Sequence, residues 1–263
     1  MNPLASPDAP PLHGTAAVAA DLHSGVGAPP TLPAFTLDGR VVVVTGGASG
    51  LGLVMGKGIV ENPPLITAHY ADVSDPASVS TCVADIVATH KKIDSLVTSA
   101  GFTENWPATE YPPDRMRRLW AVNVDGTYLF AVEIARHLMA RKAGGSMVFI
   151  GSMSGAIVNI PQPQTPYNAS KAAVRHLASS LAVEWATAGI RVNCISPGYM
   201  LTALTEKILN ERPDLKEKWI GGIPMGRMGN PQDLMGPVTF LLSDASRYVT
   251  GADLRVDGGY TVV

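Results

Sequence analysis

Residues 40–52, RVVVVTGGASGLG, combine a valine-rich strand pattern with a glycine-rich turn, and this combination indicates the fold. Four consecutive valines predict a strand that is buried on both faces, as in a parallel sheet. Gly46, Gly50 and Gly52 follow it and predict a tight turn that opens into a helix with free N–H groups. Such a turn suits a pyrophosphate, although its GxxxGxG spacing differs from the commoner GxGxxG and it lacks the lysine of a P-loop.

The remainder of the chain alternates between apolar runs and helical patterns. The apolar runs are LITAHYADV (65–73), DSLVTSAG (94–101), SMVFIGS (146–152) and IRVNCISPG (190–198), and the helical patterns cover 113–141, 169–187 and 231–242. This alternation predicts an α/β domain, a single Rossmann-type doubly wound parallel sheet with helices on both faces. We assign this domain to residues 37–263 and a separate Pro/Ala-rich N-terminal arm to residues 1–36.

Composition excludes several classes of protein. The 263 residues are 46% apolar and carry a formal net charge of −2, so no basic field favours nucleic acid or an anionic membrane. No apolar run is long enough to span a membrane, and residues 1–36 lack the basic residues of a secretory or mitochondrial signal. Cys82 and Cys194 are too few for a disulfide framework, which favours a reducing, cytoplasmic location. The six histidines show no metal-binding spacing, so we expect no metal.

A second constellation, TPYNASKAA, places Tyr167 and Lys171 four residues apart on one helix face. A phenol with an ordinary pKa near ~10 is a poor acid or base at neutral pH. A neighbouring ammonium favours the phenolate, so we expect Lys171 to lower the pKa of Tyr167. This pair follows SMVFIGS, a strand whose end can present a serine at the carboxyl edge of the sheet, where ligands bind in open α/β folds.

Together these motifs resemble the classical short-chain dehydrogenase/reductase family over residues 35–263. The matching segments are TGGASGLG, ADV, TSAG, WAVNVDGTYLF, GSMSG, YNASK, SPG and LRVDGGY. The resemblance implies that Tyr167 exchanges a proton with the substrate oxygen, Ser152 hydrogen-bonds that oxygen, Lys171 binds the nicotinamide ribose and Asn123 holds a water in the proton path. The cofactor would be NAD(H) or NADP(H), without a choice between them. The implied cofactor-binding residues are Gly46, Ser49, Gly50, Leu51, Gly52, Asp72, Val73, Ala100, Gly101, Tyr167, Lys171, Pro197, Gly198, Met200 and Thr202.

Two departures from the family pattern affect the site. The usual interval to the tyrosine selects Ser154, whereas the SxxG pattern selects Ser152, and we choose Ser152 because it stands at the strand end. TSAG also replaces the usual NNAG, which predicts a looser turn at Ser99.

The loop before the tyrosine, NIPQPQTPYN, indicates the substrate. Amide groups both donate and accept hydrogen bonds, so Asn159, Gln162 and Gln164 suit a polyhydroxylated molecule, unless the loop is merely a polar surface. This loop and PGYMLTALT resemble fungal-type polyol dehydrogenases and ketose reductases, which implies ketose or polyol substrates bound by Ser154, Asn159 and Gln164. Two alternatives remain: another short-chain reductase, such as a 3-oxoacyl carrier-protein reductase, and a non-catalytic nucleotide sensor.

The C-terminal VTGADLRVDGGYTVV is similar to the last strand through which this family assembles tetramers. Its apolar and aromatic residues, Val249, Tyr260, Val262 and Val263, suit a symmetric buried contact, so we expect a homotetramer.

The interval after the glycine turn is too short. Gly52 and Asp72 are 20 positions apart, whereas a βαβ unit takes ~30 residues and a further crossover a dozen or more. We therefore expect residues to be missing between about 58 and 65, with the numbering closed over them. The lost piece would hold the second strand, whose acidic or basic residue selects NAD or NADP.

Overall fold

The structure is a computed structural model that describes residues 32–60 and 66–263. From Ala34 onward the described residues form one compact unit. The predicted arm at 1–36 falls largely outside the described residues, so its boundary stays a prediction. None of the helices in the described ranges combines the length and apolar character needed to cross a membrane.

Five parallel strands form the sheet of the described residues. They are β1 (Val42–Thr45), β2 (Ser95–Thr98), β3 (Gly145–Ile150), β4 (Ile190–Pro197) and β5 (Asp253–Val256), and they lie side by side in sequence order. Because every strand runs in the same direction, all five carboxyl ends meet at one edge. That edge is where the predicted site residues of four strands come together.

Helices cover both faces of the sheet. They are α1 (Gly50–Ile59), α2 (Pro76–His90), α3 (Pro113–Trp120), α4 (Gly126–Ala140), α5 (Thr165–Trp185), α6 (Ala203–Glu211), α7 (Pro213–Gly221) and α8 (Met235–Leu242). Met55 of α1 and Val238 of α8 pack on one face, against Val97 and Ile150. Helices α2, α4 and α5 pack on the other face around Leu96. The predicted α/β architecture with helices on both faces is confirmed.

Short 3-10 turns connect several of these elements, and a π turn interrupts one predicted helix. The 3-10 turns are Leu32–Phe35, Met153–Gly155, Ala186–Ala188, Pro231–Leu234, Asp244–Ser246 and Tyr260–Val262. The helix predicted over 113–141 consists of α3 and α4 joined by a π turn, Ala121–Asp125. The helix predicted from residue 169 begins at Thr165 instead, because Pro166 is favourable in a first helical turn.

The strand predicted over 65–73 is wrong for its described part, since residues 66–73 have no regular structure. A strand forms only where a neighbour completes its hydrogen-bond ladder. In the described ranges, β1 pairs with β2 alone. Residues 66–73 instead lead from α1 on one face to α2 on the other, and Val73 packs against the start of α4 at Gly126.

The predicted gap between 58 and 65 lies mostly outside the described residues. Helix α1 continues through Ile59, and the described chain resumes at residue 66. The missing second strand therefore stays a prediction.

Candidate active site

The glycine turn after β1 is built around close backbone contacts. Gly46 has φ 66°, and a Cβ placed on it would lie 2.9 Å from the Ala100 backbone. A Cβ on Gly52 would lie 2.5 Å from the Gly46 carbonyl oxygen. Both positions therefore need glycine, Gly46 for its dihedral and both for the close approach. Close backbone packing therefore explains the glycines at the first and last positions of the GxxxGxG motif.

The hydroxyl of Thr45 joins this turn to the end of β2. Thr45 Oγ1 accepts hydrogen bonds from the N–H groups of Ser99 at 3.1 Å and Ala100 at 3.2 Å. The turn that was expected to be looser is thus held by two hydrogen bonds from its backbone to this side chain. They hold Ala100 beside Gly46.

The N-terminus of α1 is suited to an anion. Ser49 precedes the helix and its side chain makes no capping hydrogen bond. Gly50 has φ 54°, and a Cβ there would meet open space. The first N–H groups of a helix have no partner within the helix and carry the positive end of its dipole. Ser49, Gly50 and Leu51 therefore form a cradle that fits a pyrophosphate, the part of a dinucleotide the sequence assigned to them.

Asn123 lies in the π turn between α3 and α4, a type of distortion that is frequent at functional sites. Its amide nitrogen donates to the Phe102 carbonyl and to Ser170 Oγ, both at 3.1 Å, and its oxygen accepts from Phe102 N–H at 3.0 Å. The side chain thus joins the loop after β2 to helix α5. A Cβ on Gly101 would lie 3.1 Å from the Asn123 oxygen and 3.6 Å from Lys171 Nζ, so the three residues are neighbours.

Tyr167 and Lys171 lie one turn apart at the start of α5, as predicted. Lys171 Nζ is 5.7 Å from the centre of the Tyr167 ring and donates a 2.8 Å hydrogen bond to the Ile150 carbonyl at the end of β3. Only 7% of Lys171 is exposed. Lys171 is therefore fixed to the carboxyl edge of the sheet, one helical turn from Tyr167.

The predicted pKa effect at Tyr167 is not found. Burial raises the pKa of the Tyr167 phenol above its ordinary value, and only the neighbouring Ser152 hydroxyl opposes this. Burial also lowers the pKa of Lys171, to about 8. The prediction was wrong because the same burial that brings the amine close to the phenol disfavours both charged forms.

This burial predicts a pH-dependent stability. Lys171 has a pKa of about 8 in the folded chain and an ordinary value of 10.5, so the unfolded state binds more protons between these pH values. The free energy of unfolding contributed by Lys171 should therefore rise as the pH increases from about 8 towards 10.5. Chemical unfolding of the wild type and Lys171→Met at pH 7.5 and 9.5 measures this, and the wild type should gain relative to the variant. If the difference in free energy of unfolding between the two proteins stays constant or shrinks from pH 7.5 to 9.5, the lowered pKa of Lys171 is contradicted.

The structure separates the two candidate serines. Ser152 lies two residues beyond the end of β3, next to Tyr167, and accepts a 3.1 Å hydrogen bond from Ser154 N–H. Ser154 Oγ instead donates to Asn159 Oδ1 and accepts from Gln164 Nε2. Ser152 is thus the serine that shares the site of the tyrosine, in line with the choice made from the strand end.

The loop before Tyr167 is not a polar surface. Asn159 and Gln164 are only 4% and 7% exposed. Gln164 Nε2 lies 3.1 Å from Asn159 Oδ1 and 2.9 Å from Asn168 Oδ1. Together with Ser154, these amides form a polar cluster next to Ser152, which is buried except for the half-buried Asn168. We call Ser154, Asn159, Gln164 and Asn168 the amide cluster.

An aromatic wall adjoins the amide cluster. Tyr199 stacks on Trp219 with ring centres 4.2 Å apart and meets Tyr260 edge-on at 5.3 Å. Its hydroxyl accepts from Asn159 Nδ2 at 3.3 Å and lies within hydrogen-bond distance of Gln162. Sequence reasoning missed Asn168, Tyr199 and Trp219. Asn168 adjoins the tyrosine in YNASK and could have been noticed, whereas the Tyr199–Trp219 contact has no sequence signal.

The other predicted cofactor residues differ in their placement. Asp72 is exposed, and its carboxylate accepts hydrogen bonds from Ser74 N–H and Oγ, which lower its pKa. At the end of β4, Pro197 leads into Gly198, which packs tightly on Asp257. Met200 belongs to the core, and Thr202 caps α6 through reciprocal hydrogen bonds with Thr205.

Cys194 and His137 take structural places. Cys194 is buried, and burial raises its thiol pKa to about 12, which agrees with the predicted packing role. His137 Nε2 accepts a hydrogen bond from Ile93 N–H. Within residues 32–60 and 66–263, no three His, Cys, Asp or Glu side chains gather as a metal site would require.

Comparison with known proteins agrees with this geometry. Residues 58–261 match the family model described as Enoyl-(Acyl carrier protein) reductase. The chain is 40% identical to a D-arabinitol 2-dehydrogenase [ribulose-forming] of Candida albicans over 267 aligned positions, which cover 87% of this chain and 95% of the relative. It is also 40% identical to a galactitol 2-dehydrogenase (L-tagatose-forming) of Cereibacter sphaeroides, with 87% and 97% covered.

A solved structure shows the same fold. A gluconate 5-dehydrogenase from Burkholderia cenocepacia, crystallised in complex with NADP and tartrate, superposes with a TM-score of 0.83 at 31% identity and covers 89% of this chain and 100% of its own. The chain therefore belongs to the classical short-chain dehydrogenase/reductase family, as an NAD(P)-dependent oxidoreductase that acts on CH–OH groups.

Proposed function

We propose that this protein interconverts a ketose and a polyol. The observation that carries the proposal is the amide cluster, buried beside Ser152 and Tyr167. Buried amides are normally fully hydrogen-bonded, so a site that retains several of them beside the reacting groups suits a substrate with many hydroxyls. Two relatives, the ribulose-forming D-arabinitol dehydrogenase and the L-tagatose-forming galactitol dehydrogenase, support the same substrate class.

The residues divide the work as follows. The nicotinamide of the bound cofactor supplies or accepts the hydride. Tyr167 passes a proton to or from the substrate oxygen, and Ser152 donates a hydrogen bond to that oxygen. Lys171, on α5 with its ammonium at the end of β3, binds the nicotinamide ribose. Asn123 joins the loop at Phe102 to helix α5 and so holds the two segments in place. Ser154, Asn159 and Gln164 contact the substrate hydroxyls.

We propose NAD(H) or NADP(H) as the cofactor, without a choice between them. Ser49, Gly50 and Leu51 would hold the pyrophosphate, and Lys171 would bind the nicotinamide ribose. Asp72, the predicted residue beside the adenine, has its carboxylate engaged by Ser74. The residue that would recognise the 2′ position of the cofactor's adenosine ribose belongs to the second strand, which we expect to be missing.

A substrate panel tests the proposed function. Oxidation of NADH and NADPH is followed with ribulose, xylulose, sorbose, fructose and tagatose, beside acetoacetyl-CoA as a carrier-protein surrogate. The proposal expects turnover with at least one ketose and none with the thioester. Preference for acetoacetyl-CoA would favour the 3-oxoacyl reductase alternative. Cofactor binding without turnover of any substrate would favour the nucleotide sensor.

We also propose a homotetramer, with a revised contact. Val262 and Val263 are largely exposed at the C-terminus, 68% and 90%, and are available to a second copy. Tyr260 packs on Tyr199, and Val249 packs in the core of its own chain, so neither needs a partner. Light scattering at micromolar concentration should give four times the chain mass, and a monomer would contradict the proposal.

A further inference from the structure

The turn that carries Ser152 is bounded by two glycines that both lie against helix α5. A Cβ placed on Gly155 would lie 2.7 Å from the Lys171 carbonyl. A Cβ placed on Gly151 would lie 3.3 Å from Arg175 Cγ and 2.7 Å from Cys194 Sγ. The position of the serine turn therefore depends on side chains of α5 and β4 that no catalytic motif includes.

Arg175 contacts both ends of this turn. Its aliphatic stem lies against Gly151, and its Nη1 donates a 2.7 Å hydrogen bond to the Gly155 carbonyl. Arg175 is on α5, one turn beyond Lys171. One side chain thus joins the turn that holds Ser152 to the helix that holds Tyr167 and Lys171.

The guanidinium is itself held in place. Arg175 Nε donates to Asp253 Oδ2 at 2.7 Å, and Ser196 Oγ donates to the other oxygen of the same carboxylate. Asp253 begins β5 and lies opposite Cys194 of β4. A planar guanidinium with fixed donor directions can serve the carboxylate and the carbonyl together, whereas a lysine ammonium lacks that fork.

We propose that Arg175, oriented by Asp253, is a positioning residue that sets the place of Ser152 relative to Tyr167. This role of Arg175 rests on the proposed function in one respect: it requires Ser152 to take part in turnover. A displacement of about 1 Å of a reacting group can cost roughly 100-fold in rate. Because Arg175 acts through Ser152, its loss should lower kcat and leave the KM for the cofactor unchanged.

Arg40 provides a matched control. It also joins a backbone carbonyl, that of Leu242, to a carboxylate, Asp244, at 2.9 and 2.6 Å. It precedes β1 and therefore lies at the opposite edge of the sheet from the site. Arg40→Met removes the same kinds of contact without touching the serine turn.

The experiment compares Arg175→Met, Arg175→Lys and Arg40→Met, each alone and in a Ser152→Ala background. We expect Arg175→Met to lower kcat about 10- to 100-fold, Arg175→Lys to recover part of it, and Arg40→Met to retain the wild-type kcat. In the Ser152→Ala background, Arg175→Met should cause no further loss, because residues that act through one group are not additive. Asp253→Asn serves as a second probe if Arg175→Met does not fold.

A readout independent of turnover separates this proposal from the proposed function. Amide hydrogen exchange of a peptide covering 151–157 should be faster in Arg175→Met than in the wild type or Arg40→Met. Unchanged hydrogen exchange in Arg175→Met would overturn the positioning role. So would a double variant in which the decreases in kcat of Arg175→Met and Ser152→Ala multiply. Faster exchange in a protein that turns over no ketose would instead refute the proposed function and leave the structural coupling standing.

Discussion

Tyr167→Phe is expected to lower kcat for ketose reduction by about 100-fold or more, the usual scale of general acid catalysis. The substitution removes the phenol oxygen and keeps the ring. Burial raises the pKa of the phenol, so at neutral pH Tyr167 is protonated and ready to donate to a developing alkoxide. The ring contact with Lys171 survives in the variant, so the loss reports the hydroxyl.

Steady-state oxidation of the reduced cofactor measures this effect, with Tyr128→Phe as the control. Tyr128 lies on α4 and is 47% exposed, so loss of its hydroxyl should leave kcat unchanged. Cofactor binding to Tyr167→Phe should persist, because the glycine turn and Lys171 are untouched. Near-normal turnover in Tyr167→Phe would remove the tyrosine from its assigned role.

Ser152→Ala is expected to have the second large effect, again about 100-fold on kcat. Ser152 lies against Tyr167, so its hydroxyl can donate to the same substrate oxygen that receives the proton. Alanine at 152 also removes the acceptor of the Ser154 N–H bond, which is a minor change within a turn held at Gly151 and Gly155.

Ser154→Ala is the matched variant, two residues away. Its hydroxyl is bonded to Asn159 and Gln164, so its removal disturbs the amide cluster and should raise the KM for ketose with a smaller effect on kcat. Kinetics of the two variants side by side decide between the serines. A collapse of kcat in Ser154→Ala with normal turnover in Ser152→Ala would reverse the assignment.

Short sequence patterns predicted those features of the site whose geometry depends on residues close together in the chain. The glycine turn follows from backbone dihedrals and close approach, which only glycine satisfies. The Tyr167–Lys171 pair follows from helical spacing. Ser152 was chosen because it follows the apolar run of β3, whose carboxyl end lies beside the start of α5.

Contacts between distant segments could not be predicted in the same way. Asn159 is buried because Tyr199, forty residues later, accepts its hydrogen bond. Arg175 reaches Asp253 across 78 residues. The pKa of Tyr167 depends on burial, which a sequence pattern does not measure. The strand predicted over 65–73 failed because strand formation depends on a neighbouring strand as well as on apolar residues.

The most direct test of hydride transfer at this site uses a labelled cofactor. The protein is incubated with a ketose and reduced nicotinamide dinucleotide carrying deuterium at both C4 positions, and the polyol is examined by mass spectrometry. We predict one deuterium at the former carbonyl carbon with the wild type and no product above background with Tyr167→Phe. Polyol without deuterium, or equal labelling by Tyr167→Phe, would contradict it.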